Sequence, residues 1–298
     1  MADQSRSQKP QRRGTSSLRM VDRSGLFSLR ARPSFIDYCQ QTWAKRHFIF
    51  ANARGKSLRA GDGTYLGRAW IFLNPLLQVT IYVVVFGFIL HVSRGMDNYI
   101  GFIMIGVIFF GMMGRGLTQG NGVIQGSRSL IGAFSFPRVC LVFSVAVKQV
   151  IDDVAPALVA ILGALVFQPH ISIGASYLLL IPIFVLLHVF ACGLTLFTAR
   201  ATAFVPDLRQ IISTLQRGLF FLSGVFYDVD RFAKVPVLRE VMLANPFYQF
   251  LHVIRTIVLD GAWPEMQSLL YLVAVSFIVF ALGLVYFWSA EERYANAK

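Results

Sequence analysis

The chain has 298 residues, of which 55% are hydrophobic and 14% charged, with 27 Phe and a formal net charge of +13; its mean hydropathy is +0.59. Soluble domains carry about 25% charged residues, so these figures argue against a soluble enzyme, exclude a disordered chain and indicate an integral membrane protein. Six spans of ~20 residues would use about 120 residues, which leaves no room for a further catalytic domain of ~150 residues.

The charge is uneven. Residues 1–69 hold 14 of the 28 Lys/Arg against four acids. A basic stretch abutting a hydrophobic span reads as a cytoplasmic, lipid-proximal segment under the positive-inside rule, and not as a nucleic-acid site. Residues 1–33 are Ser-, Gln- and Arg-rich and read as a disordered basic tail. Residues 34–69 form an interface helix and a pre-span segment. Ser34 and Asp37 make a capping-box-like start. Over 34–50, Phe35, Ile36, Cys39 and Trp43 share one face and Asp37, Gln41 and Lys45 the other, with Arg46 intruding on the apolar edge. This is an amphipathic helix in the membrane interface; a packed helix of a small soluble region is the alternative.

A six-span domain is expected over 70–290, with spans at 70–91, 99–122, 139–167, 176–198, 210–227 and 267–289 and a short tail at 291–298. The span at 210–227 carries the weakest signal. With the N-terminus inside, loops 115–138 and 199–217 hold six Arg and one acid, whereas 91–98 and 168–175 hold one Arg and one Asp. That asymmetry places both termini in the cytoplasm. Between the last two spans, residues 236–260 are mostly apolar but interrupted by Asn245–Pro246, which reads as a re-entrant hairpin from the outer face in preference to a seventh span. The fold class is therefore all-α, integral membrane.

Polar residues inside spans are costly. Lys148 and Asp152, four apart, share a helix face and can pair. Together with Asp153 they mark either a polar face toward a pathway or a helix start in the interface. Gly116/Gly120 and Gly122/Gly126 have small-xxx-small spacing. The aromatic pairs Phe109–Phe110, Phe220–Phe221 and Phe226–Tyr227 are either pathway surfaces for sugars or ordinary lipid-facing aromatics. Arg54-Gly55-Lys56-Ser57 resembles the end of a phosphate-binding loop, but Phe50 stands where that loop needs Gly, so no ATP site is expected here. Cys39, Cys140 and Cys192 read as small hydrophobes. The five His pair with no carboxylate at metal or acid–base spacing, and His188 reads as packed. No catalytic residue and no metal site is expected.

Three stretches in order resemble one family. Leu66-Gly67-Arg68-Ala69-Trp70 running on to Asn74-Pro75 is similar to the start of the first span of type-2 ABC exporter permeases for O-antigen, capsular polysaccharide or teichoic acid. Ser129-Leu130-Ile131 followed by Phe136-Pro137-Arg138 resembles that family's segment after the second span. Phe221-Leu222-Ser223-Gly224-Val225-Phe226-Tyr227, then Asn245-Pro246-Phe247 and Arg255, is similar to its ending. The resemblance departs at Leu58–Gly63, where the family has a basic–aromatic cluster, and at Thr202–Asp207, where it often has Arg-Asp.

The resemblance implies a homodimer of permeases around a central path, docked on two separate P-loop ATPase subunits that bind the ATP and Mg. It also implies a lipid-linked polysaccharide as cargo in a bacterial plasma membrane. Gly126, Ser127, Arg128, Ser129, Leu130, Ile131, Phe136 and Pro137 would couple to the ATPase, with Pro206, Asp207 and Arg209 in a second contact loop. Arg59, Arg68 and Trp70 would meet the lipid diphosphate first. Phe109, Phe110, Phe220, Phe221, Phe226, Tyr227, Asn245, Pro246 and Arg255 would shape the path and its exit. A small-molecule exporter is the alternative within the family. A secondary transporter or a membrane-embedded transferase is the alternative outside it.

Overall fold

A computed structural model describes residues 33–59, 63, 65–90, 98–134, 136–168, 174–229 and 235–296. The expected tail up to residue 32, the loop 91–97 and the Arg68 side chain lie outside the described residues. The described residues are all-helical, with no strand among them, and belong to one unit within Arg32–Lys298.

The helices are α1 (Phe35–Ala44), α2 (Arg46–Leu58), α3 (Trp70–Tyr82), α4 (Tyr99–Thr118), α5 (Val123–Gly126), α6 (Arg128–Ala133), α7 (Val139–Val166), α8 (Leu180–Phe204), α9 (Leu208–Leu222), α10 (Pro236–Leu243), α11 (Pro246–Val258) and α12 (Met266–Trp288). α3 runs on as a wider π-helical turn over Val83–Ile89. Five segments are long and apolar enough to cross a membrane: Trp70–Ile89, Tyr99–Thr118, Val139–Val166, Ala175–Phe204 and Met266–Trp288. The expected sixth, 210–227, is instead α9, a helix of 15 residues. At 1.5 Å per residue the helix alone reaches about 22 Å of a ~30 Å hydrocarbon layer, so a crossing here needs the residues after Leu222 as well. The second segment ends at Thr118, not 122, and the fourth extends beyond 198 to Phe204.

The expected single helix at 34–50 is two helices meeting at Lys45. Its start is as expected: Ser34 Oγ accepts from the Asp37 N–H at 3.2 Å. The break has a sequence reason. Tyr38 and Thr42 form the buried stripe of α1, and four residues on stands Arg46, which a straight helix would bury. The turn at Lys45 leaves Arg46 exposed and restarts the buried stripe at Ile49, Ala53 and Ser57, against α7. The face that packs is therefore Tyr38 (1% exposed), while Ile36 (69%) and Trp43 (72%) of the expected apolar face stay open.

The N- and C-terminal helices close one end of the bundle, here the near end. The buried Glu291 carboxylate accepts from Tyr38 Oη at 2.7 Å and from the Arg138 N–H at 2.8 Å, just before α7. An anion is favoured there by the unpaired N–H groups of a helix start. Burial nonetheless pushes the Glu291 carboxyl up from its ordinary value, opposed by those hydrogen bonds and by the Arg138 charge. At the far end, Asn98 caps α4 by accepting from Gly101 N–H and donates to Ala164 O, both at 2.8 Å.

α4 is the buried axis, packed between α7 and α8, and α8 in turn lies along α12. Glycine permits both close approaches. A Cβ on Gly116 would stand 2.7 Å from Ala191 O, so Gly116/Gly120 serves α4–α8 packing as its spacing suggested. Gly126 faces open space, and Gly122 (φ 76°) is a left-handed turn residue. The other contact is one the spacing did not reveal: Gly193 of α8 and Gly283 of α12 face each other, a Cβ on Gly283 falling 2.7 Å from Gly193 O. Gly193→Leu therefore meets α12 backbone that cannot yield, and overpacking of this kind costs about 1–3 kcal/mol. The variant is expected to melt several degrees below the parent; parent-like melting would contradict this packing.

Candidate functional site

Three constellations stand out. The first is an exposed face at the near end. α6 buries none of its residues; Arg128, Ser129 and Gly132 are exposed, Leu130 and Ile131 are partly covered, and Phe134 just beyond is 65% exposed. Gly126 is also exposed. Gln125 Nε2 donates to Thr202 O at 2.9 Å and to Ala203 O at 3.2 Å, which ties α5 to the end of α8. The Arg209 guanidinium lies against Gly122. The two segments expected to contact a partner, Gly126–Pro137 and Pro206–Arg209, are thus neighbours in space, with Pro206 and Asp207 exposed beside them. Ser127 and Pro137 are buried and the Phe136 ring sits 5.4 Å from Phe48, so those three support this face from within. Gln125 and Phe134 were not singled out in the sequence.

The second is a polar cleft of ≈ 260 Å³ between α3, α4 and α7, lined by Trp70, Asn74, Arg115, Lys148, Asp152 and Asp153 among others. Lys148 pairs with Asp152, as their spacing required, and Asp152 also accepts from Ser57 Oγ at 2.5 Å. Asp153, 1% exposed, pairs instead with Arg115 and with His188 Nε2 at 3.2 Å. His188 is packed on Phe184, yet it has a carboxylate partner 35 residues away that no local pattern reveals. Arg59 is exposed at the end of α2, two residues past Ser57, and Gly67 (φ 51°) supplies the left-handed turn leading into Trp70. Trp70 lines the cleft, whereas Arg59 is not among its lining residues. Lys56 on α2 has its ammonium pushed down by desolvation and then by Lys148.

The third constellation joins α4, α9 and α11. Gly224 (φ 63°) turns the chain after α9, and its carbonyl accepts from Arg255 Nη1 at 2.8 Å. Arg255 Nη2 donates to Val225 O at 2.9 Å and to Phe102 O at 3.1 Å, with the guanidinium 3.4 Å from the Phe102 ring centre. Asn245 caps α11 by accepting from the Phe247 N–H, and its Nδ2 donates to Ser223 Oγ, both at 3.0 Å. Pro246 takes the first helical position, where no N–H is needed. Ser223-Gly224-Val225, Asn245-Pro246 and Arg255 thus form one hydrogen-bonded knot.

Beside the knot, Phe110, Phe220, Phe221 and Phe226 join Tyr82, Phe86 and Phe247 in one aromatic cluster, Phe86 stacking on Phe226 at 4.0 Å. Phe221 is 54% exposed, whereas Phe110 and Phe226 are buried. Phe109 belongs elsewhere, in a cavity against α7 and α8. Tyr227 is held by the Phe221 carbonyl.

A sequence profile of the family described as "ABC-2 type transporter" matches residues 48–259, which span all three constellations. The chain belongs to the ABC-2 type transporter family. The chain is 27% identical to the O-antigen export system permease protein RfbA of Myxococcus xanthus, over 79% of this chain and 89% of that protein. It is 22% identical to the polysialic acid transport protein KpsM of Escherichia coli, over 80% and 91%. It is also 22% identical to the capsule polysaccharide export inner-membrane protein CtrC of Neisseria meningitidis serogroup A, over 74% and 82%.

Proposed function

We propose that this ABC-2 chain is the membrane permease of an ATP-driven exporter that carries a lipid-linked surface polysaccharide out of the bacterial cytoplasm. The observation that carries the reading is its similarity, over most of its own length and theirs, to permeases for O-antigen and capsular polysaccharides. The near end is the cytoplasmic end, both termini included. The face formed by α6 and Pro206–Arg209 docks a separate ATP-hydrolysing subunit, which binds ATP and Mg. The Arg54–Ser57 stretch lies inside α2, not in a phosphate-cradling loop. α1 and α2 lie in the membrane interface. α9 with residues 223–227 serves as the sixth crossing, and α10–α11 re-enter from the outer face with Asn245–Pro246 at the bend.

Two copies pair around a path. ATP-driven closure of the partner subunits pushes α5 and α6, and Gln125 passes that displacement to the end of α8. The lipid diphosphate meets Arg59, Arg68 and Trp70 at the cleft between α3 and α7, where cations attract it. Sugars slide over exposed aromatic faces such as Phe221. Depleting the chain is expected to leave lipid-linked polymer inside the cell while small-molecule efflux is unchanged; the opposite pattern would favour a small-molecule exporter. Arg68→Ala is expected to lower export several-fold with assembly intact. Unchanged export would remove Arg68 from the diphosphate site.

A further inference from the structure

A cavity of ≈ 930 Å³ opens at the near end between the α1–α2 elbow and the spans α7 and α12. α2 builds it with a second stripe. Ile49, Ala53 and Ser57 face α7; one residue round the helix, about 100° away, Arg46, Phe50, Arg54 and Leu58 line the cavity. Phe143 and Val147 of α7 and Leu284 of α12 supply an apolar floor, and the exposed Trp43 stands at the rim. The lining holds Arg46, His47 and Arg54 and neither Asp nor Glu. None of the described ion pairs uses Arg46 or Arg54. Both guanidinium groups are exposed on long stems that can bend toward a headgroup.

We infer that this cavity is a site for an anionic glycerophospholipid of the cytoplasmic leaflet, distinct from the cleft assigned to the cargo. An apolar floor beneath two guanidinium groups that take part in none of the described ion pairs, Arg46 donating only to the exposed Trp43 carbonyl at 3.3 Å, complements an acyl chain joined to a phosphate. A sugar or a soluble metabolite would leave the floor unmatched, and a zwitterionic lipid would leave the rim partly unmatched. The phosphate sits between Arg46 and Arg54, and one acyl chain lies along Phe143, Val147 and Leu284. The bound lipid wedges α1–α2 against the spans and ties the elbow to anionic membrane, where each basic residue adds to the attraction. The inference rests on the reading that α1 and α2 lie in the interface.

The test uses the full chain in nanodiscs containing phosphatidylglycerol and phosphatidylcholine, with retained lipid read by native mass spectrometry. The parent is expected to retain phosphatidylglycerol over phosphatidylcholine by about tenfold. Arg46→Gln/Arg54→Gln loses that preference, and Val147→Trp, which fills the floor without changing charge, lowers retention of both lipids. Inorganic phosphate at equal concentration does not displace the lipid. A double variant that keeps the preference, a Val147→Trp chain that retains full lipid, or displacement by an acidic peptide overturns the assignment. Quenching of Trp43 by brominated lipid, taken as the difference between parent and Trp43→Phe, tests the interfacial placement separately. Quenching without lipid preference sinks the site alone, and absent quenching sinks the placement on which it rests.

Discussion

An Arg255→Ala chain is expected to lose export and to melt on the order of 10 °C below the parent. The Arg255 guanidinium serves the carbonyls of Gly224, Val225 and Phe102, and the residue is 6% exposed. The Phe102 carbonyl keeps its backbone bond within α4, but the Gly224 and Val225 carbonyls are left without a donor, at about 1–3 kcal/mol each, or about 2–6 kcal/mol together. The loss also unties the turn after α9 from the axis helix α4 and frees the segment that carries Phe226 and Tyr227. Arg255→Lys keeps the charge but offers a single point donor where a planar fork is needed. It is expected to recover less than half of the stability. Melting in mild detergent beside an export assay decides it; parent-like melting of the alanine variant would contradict the knot.

Asp153→Ala is the second large effect. The carboxylate is buried between Arg115 and His188, and removing it strands the cation. Breaking a buried pair from one side costs about 3–5 kcal/mol. The Arg115 side chain is 37% exposed, so water offsets part of this and the lower figure applies. Asp153→Leu with Arg115→Met removes both charges and is expected to restore most of the stability. Because the pair lines the cleft assigned to the diphosphate, the double variant should remain export-deficient although folded. Recovery of export with stability would make the pair purely structural.

Much of this architecture was legible in the sequence because its signals are local. Long apolar runs located five spans, Ser34 and Asp37 marked the start of α1, Asn245–Pro246 marked the break between α10 and α11, and four-residue spacing gave Lys148–Asp152. What escaped was long-range or geometric. The Asp153–His188 contact crosses 35 residues and two helices. Gly193 faces Gly283 across a helix pair, and no spacing within either helix announces that. The turn at Lys45 was not legible because one straight helix over 34–50 already collects Phe35, Ile36, Cys39 and Trp43 on one face, with Arg46 as its only exception. α9 was expected as a longer span because Gly218–Tyr227 is apolar, yet the chain leaves the helix at Ser223, where Gly224 takes a left-handed turn fixed by Arg255. For the site, the motif fragments could be read individually, but their convergence required Arg255 to be placed in space.

The measurement that most directly tests the central claim is photo-cross-linking from Phe134, just beyond α6, in cells, followed by purification in mild detergent and identification of what is bound. A P-loop ATPase captured in equal proportion to this chain, with capture lost when the probe is moved to the exposed Phe277 of α12, is the predicted result. A folded permease that captures no ATP-hydrolysing subunit from Phe134 would contradict the docking face and the exporter mechanism built on it.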